Sequence, residues 1–331
     1  MRRFEDEYTI RRLTRQDAAA LAHLSQEIKE RAAETSLYSP PEVLDRNERG
    51  TLISIVAIDS AQRIVGYYAL RRSGAGRIAT AGVPISISDY SGGNLIERMR
   101  RVLEREALSN GLLGLCGESF INDVMSPIID QRFDYHPTGV SFSSPPADME
   151  KEHRPRYTAN LLYFKYLVPP PRLEVNVSDR HRPIISRIYE ALGREIVSLT
   201  NRDPFRPGRL DGKYLRAKHQ GVIQVREAGY RTANDAAETR NSLCTDSGAT
   251  AVRLEMPLNQ PQAAAVCADL EGRGFAFAGI KSGEGGDLLV MQYLTAPMDV
   301  PGARTENELA MKIFEYAVSE IRRVNSKVPL P

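Results

Sequence analysis

A pair of glycines, Gly92 and Gly93, stands where a strand passes into a helix. Residues 78–88 are predicted to form the strand and residues 95–109 the helix. The first N–H groups of a helix have no partner within it, and the helix dipole adds partial positive charge there. A glycine turn at this point can therefore hold a phosphate. An ordinary turn at a helix start is the alternative interpretation.

One carboxylate is predicted to lie beside the same turn. Residues 112–118 form the next predicted strand, so that Glu118 stands at its end. A carboxylate in that place could accept a proton from an amine as a general base. The alternative is a solvated carboxylate at a sheet edge.

The elements before the turn follow a simple order. Residues 8–13 are predicted to form an edge strand, and Thr14 with Asp17 makes a capping pair for a helix over residues 18–34. Two β-branched runs, residues 52–58 and 64–70, flank a polar turn and predict a hairpin.

This order resembles the acyl-CoA-binding core of the GNAT superfamily of N-acyltransferases. In that family an Arg/Gln-x-x-Gly-x-Gly/Ala turn wraps the CoA pyrophosphate. Gly92 falls on the first glycine of the pattern, and Tyr90 and Leu95 fit its flanks. Asp89 stands where the family prefers Arg or Gln, and Asn94 stands where it prefers Gly or Ala.

The resemblance implies a set of site residues. The family holds the thioester by pairing with the main chain of the strand before the turn, and it uses a carboxylate base, here Glu118. A Tyr acid is absent from residues 126–133, so Ser126 or a water molecule would take its place. The implied acyl-CoA contacts are Ile85, Ile87, Tyr90, Ser91, Gly92, Gly93, Asn94, Leu95 and Asn122.

The second half of the chain repeats the pattern weakly. Strands are predicted at residues 172–177, 221–225, 251–256, 275–280 and 288–294, with helices at 179–192, 232–244, 260–272 and 305–323. Residues 225–230 stand in the place of the phosphate turn and contain a single glycine. The predicted fold is therefore mixed α/β, with two tandem GNAT-like domains at residues 1–168 and 172–331, each a mostly antiparallel sheet flanked by helices. A Pro-rich linker covers residues 143–155, and three prolines precede residue 172.

Composition limits the partners. The net charge of +2 gives no electrostatic reason to expect nucleic acid. No run reaches the ~18 apolar residues of a membrane span, and the N-terminus lacks the apolar core of a signal peptide, so we expect a cytoplasmic protein that binds no membrane. Cys116, Cys244 and Cys267 lack metal-ligand spacing and are predicted to be buried thiols, with no metal. His181, between two arginines, is predicted to be solvated.

These observations predict an acyltransferase that moves an acyl group, usually acetyl, from acyl-CoA to a small-molecule amine. Two alternatives stay open: a non-catalytic module that senses acyl-CoA or a small ligand, and a protein-interaction module. The sequence does not identify the amine, the acyl length or the oligomeric state.

Overall fold

The structure is a computed structural model, and it describes residues 8–29, 39–72, 76–82, 84–87, 94–121, 132–143, 157–169, 172–283, 285–298, 305 and 307–328. These residues form two compact units. Unit 1 comprises Met1–Gly117 and Tyr166–Pro169, and unit 2 comprises Glu118–Lys165 and Pro170–Pro331. Within the described part of the chain, every helix is too short or too polar to cross a membrane.

Unit 1 is a mixed sheet with helices on its faces. Its strands follow the order β1-β2-β3-β4-β6, and β5 pairs with β3. Only the β4/β6 pair is parallel; the other recorded pairs are antiparallel. The strands are β1 (Tyr8–Arg12), β2 (Leu52–Asp59), β3 (Ile64–Arg72), β4 (Ile78–Ala81), β5 (Ile85–Ser86) and β6 (Gly114–Phe120), and the helices are α1 (Ala18–Lys29), α2 (Pro40–Glu48) and α3 (Leu95–Ser109).

The core of unit 1 explains these elements. Every residue of β2 is buried, which marks a central strand covered on both faces. In α3 the buried positions Leu95, Met99, Leu103 and Ala107 recur every four residues. A Cβ atom on Gly66 of β3 would lie 2.8 Å from Met99 Sδ, so the missing side chain lets α3 pack closely on the sheet.

Unit 2 contains a longer sheet in the order β8-β7-β14-β15-β13-β12-β11. Only its β12/β13 pair is parallel, while β9 and β10 form a separate parallel pair. The strands are β7 (His136–Ser143), β8 (Thr158–Tyr166), β9 (Leu173–Val175), β10 (Ile196–Ser198), β11 (Arg209–Leu215), β12 (Gln220–Glu227), β13 (Ala251–Pro257), β14 (Ala276–Lys281) and β15 (Leu288–Leu294). The helices are α4 (Arg182–Ala191), α5 (Thr232–Thr245), α6 (Ala263–Glu271) and α7 (Glu308–Lys327).

Two glycines join β7 to β14. Gly139 pairs with Gly279, and a Cβ atom on Gly139 would lie 2.8 Å from the Ala278 carbonyl oxygen. Gly279 has a φ of +133°, a conformation that suits only glycine. This close approach places β7, from residues 136–143, in the same sheet as strands more than a hundred residues later.

The mixed, mostly antiparallel α/β fold is as predicted, but several elements differ. The predicted strand over residues 78–88 is interrupted between β4 and β5, where Pro84 cannot donate a ladder hydrogen bond. Strands β7, β10 and β11 have no predicted range. The compact units also divide the chain at places other than residues 168 and 172, because β7 and β8 associate with later strands. The predicted domain boundaries stay a prediction, since compact units and domains need not coincide.

Candidate functional site

The strand that precedes α3 pairs with β3 along its length but loses its second partner, β6, part-way. β4 pairs in parallel with β6 from Ile78↔Gly114 to Thr80↔Cys116, and β5 then continues on β3. The Ile87 N–H donates to the Val65 carbonyl at 3.0 Å. Main-chain groups of successive residues in a strand point to opposite edges, so those of Ser86 point away from β3. Ser86 therefore presents an N–H and a C=O at the edge where a ligand could pair with the strand.

The helix that follows begins with a basic surface. The Arg98 N–H donates to the Asn94 carbonyl at 2.9 Å, so the N–H groups of Leu95, Ile96 and Glu97 have no partner within the helix. Asn94 itself is exposed, and its Oδ1 accepts from the Tyr8 hydroxyl at 3.3 Å. The Arg98 guanidinium lies 4.6 Å from the centre of the Tyr8 ring. The dipole and this arginine favour an anion at the start of α3.

The structure describes five of the predicted site residues. Ile85 and Ile87 pack their half-buried side chains against the apolar core that includes Leu21 and Tyr67, and their main chains point toward β3, so neither is the residue that would pair with a ligand. Leu95 is buried in α3, Asn94 precedes it, and Glu118 lies on β6 within unit 2. The remaining predicted residues, Tyr90, Ser91, Gly92, Gly93, Asn122 and Ser126, lie outside the described residues.

Glu118 is held by an ion pair. Lys218 Nζ lies 3.1 Å from Glu118 Oε2, and both side chains are partly exposed. Burial alone would raise the pKa of Glu118, but the charges of Lys218 and Arg253 outweigh it and lower the pKa. The carboxylate is therefore ionised at neutral pH, as a base must be, yet it is a weaker proton acceptor than an ordinary glutamate.

Sequence reasoning missed Ser86, Tyr8 and Arg98. The alternation of main-chain directions along a strand would have selected Ser86 if the partner strand on one side had been known. Tyr8 and Arg98 are far apart in the chain, and no local pattern connects them.

The structure contradicts the prediction that His181 is solvated. His181 is 1 % exposed, and its ring stacks on Phe277 with centroids 4.7 Å apart. His181 Nε2 bonds to Glu271 Oε1 at 2.8 Å, and Nδ1 bonds to the Tyr316 hydroxyl at 2.9 Å. The partners lie on α6 and α7, so the flanking arginines in the sequence gave no sign of this burial.

Three ligand-type side chains meet at this histidine. The donor atoms of His181, Cys267 and Glu271 all lie within 4.8 Å of one another. Arg323 already binds Glu271 Oε2 at 2.8 Å. Its positive charge lies where a metal cation would bind and repels that cation. Burial raises the pKa of the Cys267 thiol well above its ordinary value, so neither a thiolate ligand nor a thiolate nucleophile is favoured. The group fits a buried hydrogen-bond network better than a metal centre.

Glu271 shows how this network is balanced. Burial would raise the pKa of Glu271, but hydrogen bonds from His181 and Arg323 outweigh it and lower the pKa. Arg323 also binds Glu320 Oε2 at 2.6 Å, so one guanidinium joins α6 to its own helix α7. The network therefore fixes α7 against the rest of unit 2.

No known family model and no curated protein sequence matches the chain. Solved structures similar to it include acetyltransferases, among them members of the GNAT family. An aminoglycoside 6′-N-acetyltransferase from Enterococcus faecium is 15% identical, with a TM-score of 0.38, and the match covers 49% of this chain and 99% of that one.

Two further solved structures are similar to the chain at a comparable identity and TM-score. A GNAT-family acetyltransferase from Streptococcus pneumoniae is 16% identical with a TM-score of 0.40, and the match covers 48% of this chain and 99% of that one. A ribosomal-protein-alanine N-acetyltransferase from Brucella melitensis is 18% identical with a TM-score of 0.39, over 48% and 99% of the two chains. Each match covers about half of this chain. Similarity at this level identifies no substrate.

Proposed function

We propose that the chain is an acyl-CoA-dependent N-acyltransferase, with acetyl-CoA as the donor and a small-molecule amine as the acceptor. The observation that carries the proposal is the loss of one strand partner in unit 1, where β5 stays on β3 but no longer pairs with β6. The parallel β4/β6 pairing ends at Thr80↔Cys116, the Ser86 main chain points away from β3, and α3 begins a few residues later. Ligands of open α/β sheets bind at the carboxyl ends of such strands.

The parts of the donor match the groups of unit 1. An amide of the pantetheine arm could pair with the N–H and C=O of Ser86, as a neighbouring strand would. The diphosphate would lie at the start of α3, on the Tyr90–Leu95 main chain, where Gly92 and Gly93 allow close approach. The positive charge of Arg98 would attract the negatively charged diphosphate. No step in this scheme needs a metal ion.

The transfer itself is an aminolysis of a thioester. The amine nitrogen forms a bond to the acyl carbon, the carbon–sulfur bond breaks, and the products are an amide and the CoA thiol. The amine must lose a proton and the leaving sulfur must gain one. Glu118 is the proposed base, and Ser126 or a water molecule is the proposed acid.

A second candidate function is a non-catalytic module that senses acyl-CoA. It is favoured by the state of Glu118, because its ion pair with Lys218 and its lowered pKa make it a poor base. A binder with the same donor site would need no base at all.

Acetyl-CoA titration by calorimetry tests the donor site. Gly92→Glu places a like charge in the proposed phosphate site, and we expect a loss of about 2 kcal/mol or more in binding free energy, roughly thirtyfold in affinity. Gly285→Glu is the matched control, because a side chain at Gly285 meets only open space. Unchanged affinity in Gly92→Glu would refute the site.

A turnover screen then separates the candidates. Acetyl transfer is measured with free amines, peptides and transfer RNA as acceptors. We expect turnover with free amines, since the near-neutral net charge gives no attraction for nucleic acid. Turnover with the macromolecules alone would refute the small-amine acceptor. Binding with no turnover on any acceptor would favour the sensor.

A further inference from the structure

The passage from strand to helix in unit 2 has the plan of a ligand crevice. β12 and β13 are paired in parallel from Gln220↔Ala251 to Gln224↔Glu255, and α5 begins at Thr232, soon after β12 ends. Ligands of open α/β sheets bind outside the carboxyl ends of parallel strands, and phosphates bind at helix N-termini. In unit 2 both places fall within residues 225–232.

A side chain of the same unit fills the strand edge. Gln260 Oε1 accepts a hydrogen bond from the Ala228 N–H at 2.6 Å, and Gln260 Nε2 donates to the Arg226 carbonyl at 3.1 Å. One primary amide thus satisfies both a donor and an acceptor of the strand end. A secondary amide of a bound ligand would use the same two main-chain groups.

Two main-chain groups in the turn before α5 are paired as well. The Tyr230 N–H donates to the Arg206 carbonyl at 2.9 Å, and the Arg231 N–H donates to the Pro207 carbonyl at 3.0 Å. We call residues 205–208 the strap. It takes the two N–H groups just before α5 that would otherwise point toward an anion.

The strap lies too close for anything to enter beneath it. A Cβ atom on Gly229 would overlap the Arg206 carbonyl oxygen and the Gly208 nitrogen, so the strap and the turn meet with no side chain between them. The Gly229 N–H is used too, because it donates to Thr232 Oγ1 at 2.8 Å. Hydrogen bonds and close packing together hold the strap on the turn.

Little space remains beside these groups. A cavity of about 210 Å³ is lined by Phe205, Arg206, Glu227, Ala228, Gln260 and Gln262. Ligand sites of drug size usually measure roughly 300–1,000 Å³. Arg206 and Glu227 also pair with each other at 3.3 Å, so the charges in the lining are balanced. A phosphorylated, amide-bearing arm does not fit here.

We propose that unit 2 contains a crevice for an acyl-CoA-like ligand that its own chain occupies. The Gln260 amide takes the place of a ligand amide, and the carbonyls of the strap take the place of phosphate oxygens. The identity of the displaced ligand rests on the proposed function, whereas the occupation rests on the hydrogen bonds alone. A chain built in this way binds a single acyl-donor molecule, and unit 2 does not bind it.

Amide hydrogen exchange of the full chain tests the occupation. In Gln260→Ala the Ala228 N–H loses its acceptor, and we expect its exchange to become at least tenfold faster. Gln262→Ala is the matched control, since it removes the same side chain two positions along and in the same cavity lining. It should leave Ala228 exchange unchanged. Gln260→Glu keeps an acceptor for the Ala228 N–H, so the exchange of Ala228 should stay slow in this variant. The comparison of the two variants distinguishes loss of the hydrogen bond from misfolding.

Saturating acetyl-CoA added to the wild-type chain gives the second readout. We expect no change of exchange at Ala228, Tyr230 or Arg231. Slower exchange there on adding acetyl-CoA, or unchanged Ala228 exchange in Gln260→Ala, would overturn the proposal. If acetyl-CoA binds nowhere, the proposed function fails, and the Gln260→Ala comparison still decides whether the crevice is self-occupied.

Discussion

Two passages from strand to helix, one in each unit, can be compared group by group. In unit 1 the parallel ladder ends at Thr80↔Cys116 and the Ser86 main chain points away from its partner strand. In unit 2 the ladder ends at Gln224↔Glu255 and the main-chain groups beyond it bond to Gln260 and to the strap. The topology of a binding fold can thus persist while the groups that would bind a ligand are reassigned within the chain.

The two ladders also differ in charge. The last pair in unit 1 is uncharged, whereas Glu255 in unit 2 is 1 % exposed and lies 3.0 Å from Lys281 and 3.1 Å from Arg253. Burying a carboxylate beside two cations costs desolvation energy, and removing one partner of such a group costs more stability still. Unit 2 therefore depends on electrostatics at a place where unit 1 does not.

Glu255→Gln should have the largest effect on stability. It removes the carboxylate that lies nearest to Arg253 in a mostly buried site, and we expect a loss of about 3 kcal/mol in the free energy of unfolding, at the low end for a broken buried pair because Glu118 still faces Arg253 and Lys281 can rehydrate. Urea denaturation measures it. Glu308→Gln, on an exposed helix turn, is the control and should change stability by less than about 1 kcal/mol. Equal effects of the two changes would remove the contrast between the units.

Acid should weaken unit 2 before unit 1. Burial would raise the pKa of Glu255, but Arg253 and Lys281 outweigh it and lower the pKa below 4.5, and Glu271 is lowered likewise. A group with a lowered folded-state pKa stabilises the fold above its unfolded pKa and loses this effect as the pH falls through the folded value.

Asp17 is the counterpart in unit 1. Burial would raise its pKa, but hydrogen bonds from Arg11 and Thr14 lower it below 3.8. Urea denaturation between pH 7 and pH 3, followed by probes in each unit, should show loss of the Glu255 contribution starting below 4.5 and loss of the Asp17 contribution starting below 3.8. Glu255→Gln should flatten the curve of unit 2, and an unaltered curve would contradict the assignment.

The glycines under the two helices allow a smaller test. A Cβ atom on Gly221 would lie 2.9 Å from Leu243 Cδ1 and 3.1 Å from Val252 Cγ2, whereas one on Gly66 would meet chiefly the Met99 sulfur. Methionine can adjust where leucine and valine cannot. We expect Gly221→Ala to cost about 2 kcal/mol and Gly66→Ala about 1 kcal/mol.

Thermal or urea unfolding measures both glycine variants. Gly285→Ala has open space and should be neutral or slightly stabilising, because alanine restricts the unfolded chain. A reversed order of the Gly221 and Gly66 effects would show that α3, not α5, is the more tightly packed helix.

Lys218→Met should have the smallest effect on stability. The Lys218–Glu118 pair is exposed, so its loss should cost less than about 1 kcal/mol. Removing the positive charge should raise the pKa of Glu118. If Glu118 is the base, the acid limb of kcat/KM moves to higher pH, while Lys312→Met, which breaks another exposed pair, leaves the limb in place. An unmoved limb would exclude Glu118 as the base.

Local patterns were enough to predict most of the elements. The period of α3 and the β-branched runs of β2 and β3 gave boundaries close to those in the structure. The exposed, charged β11 was missed because it lacks apolar alternation. β7 was missed because its sequence contains a proline, a glycine and two serines, residues typical of turns, and its pair with β14 joins residues 140 positions apart. Strand pairing over such distances leaves no local signal.

The site was less predictable than the fold. The strand before α3 could be found from its order in the chain, whereas the turn at Gly92 lies outside the described residues and stays a prediction. The role of Gln260 could not be found from the sequence, since a glutamine beside a helix is common and its partners Arg226 and Ala228 become neighbours only after folding. The prediction for His181 was wrong for the same reason, because its partners Glu271 and Tyr316 become neighbours only after folding.

The link from His181 through Glu271 to Arg323 has a consequence for synthesis on the ribosome. Arg323 lies in the last turns of α7, so the emerging chain exposes His181 and Glu271 long before their cationic partner exists. At translation rates of about 5–20 residues per second, His181 waits roughly 7–30 seconds. Glu271 is made later and lacks the guanidinium that balances it for roughly 3–10 seconds. Nascent chains stalled before α7 should therefore be cleaved by protease within unit 2, and chains stalled after α7 has left the exit tunnel should resist.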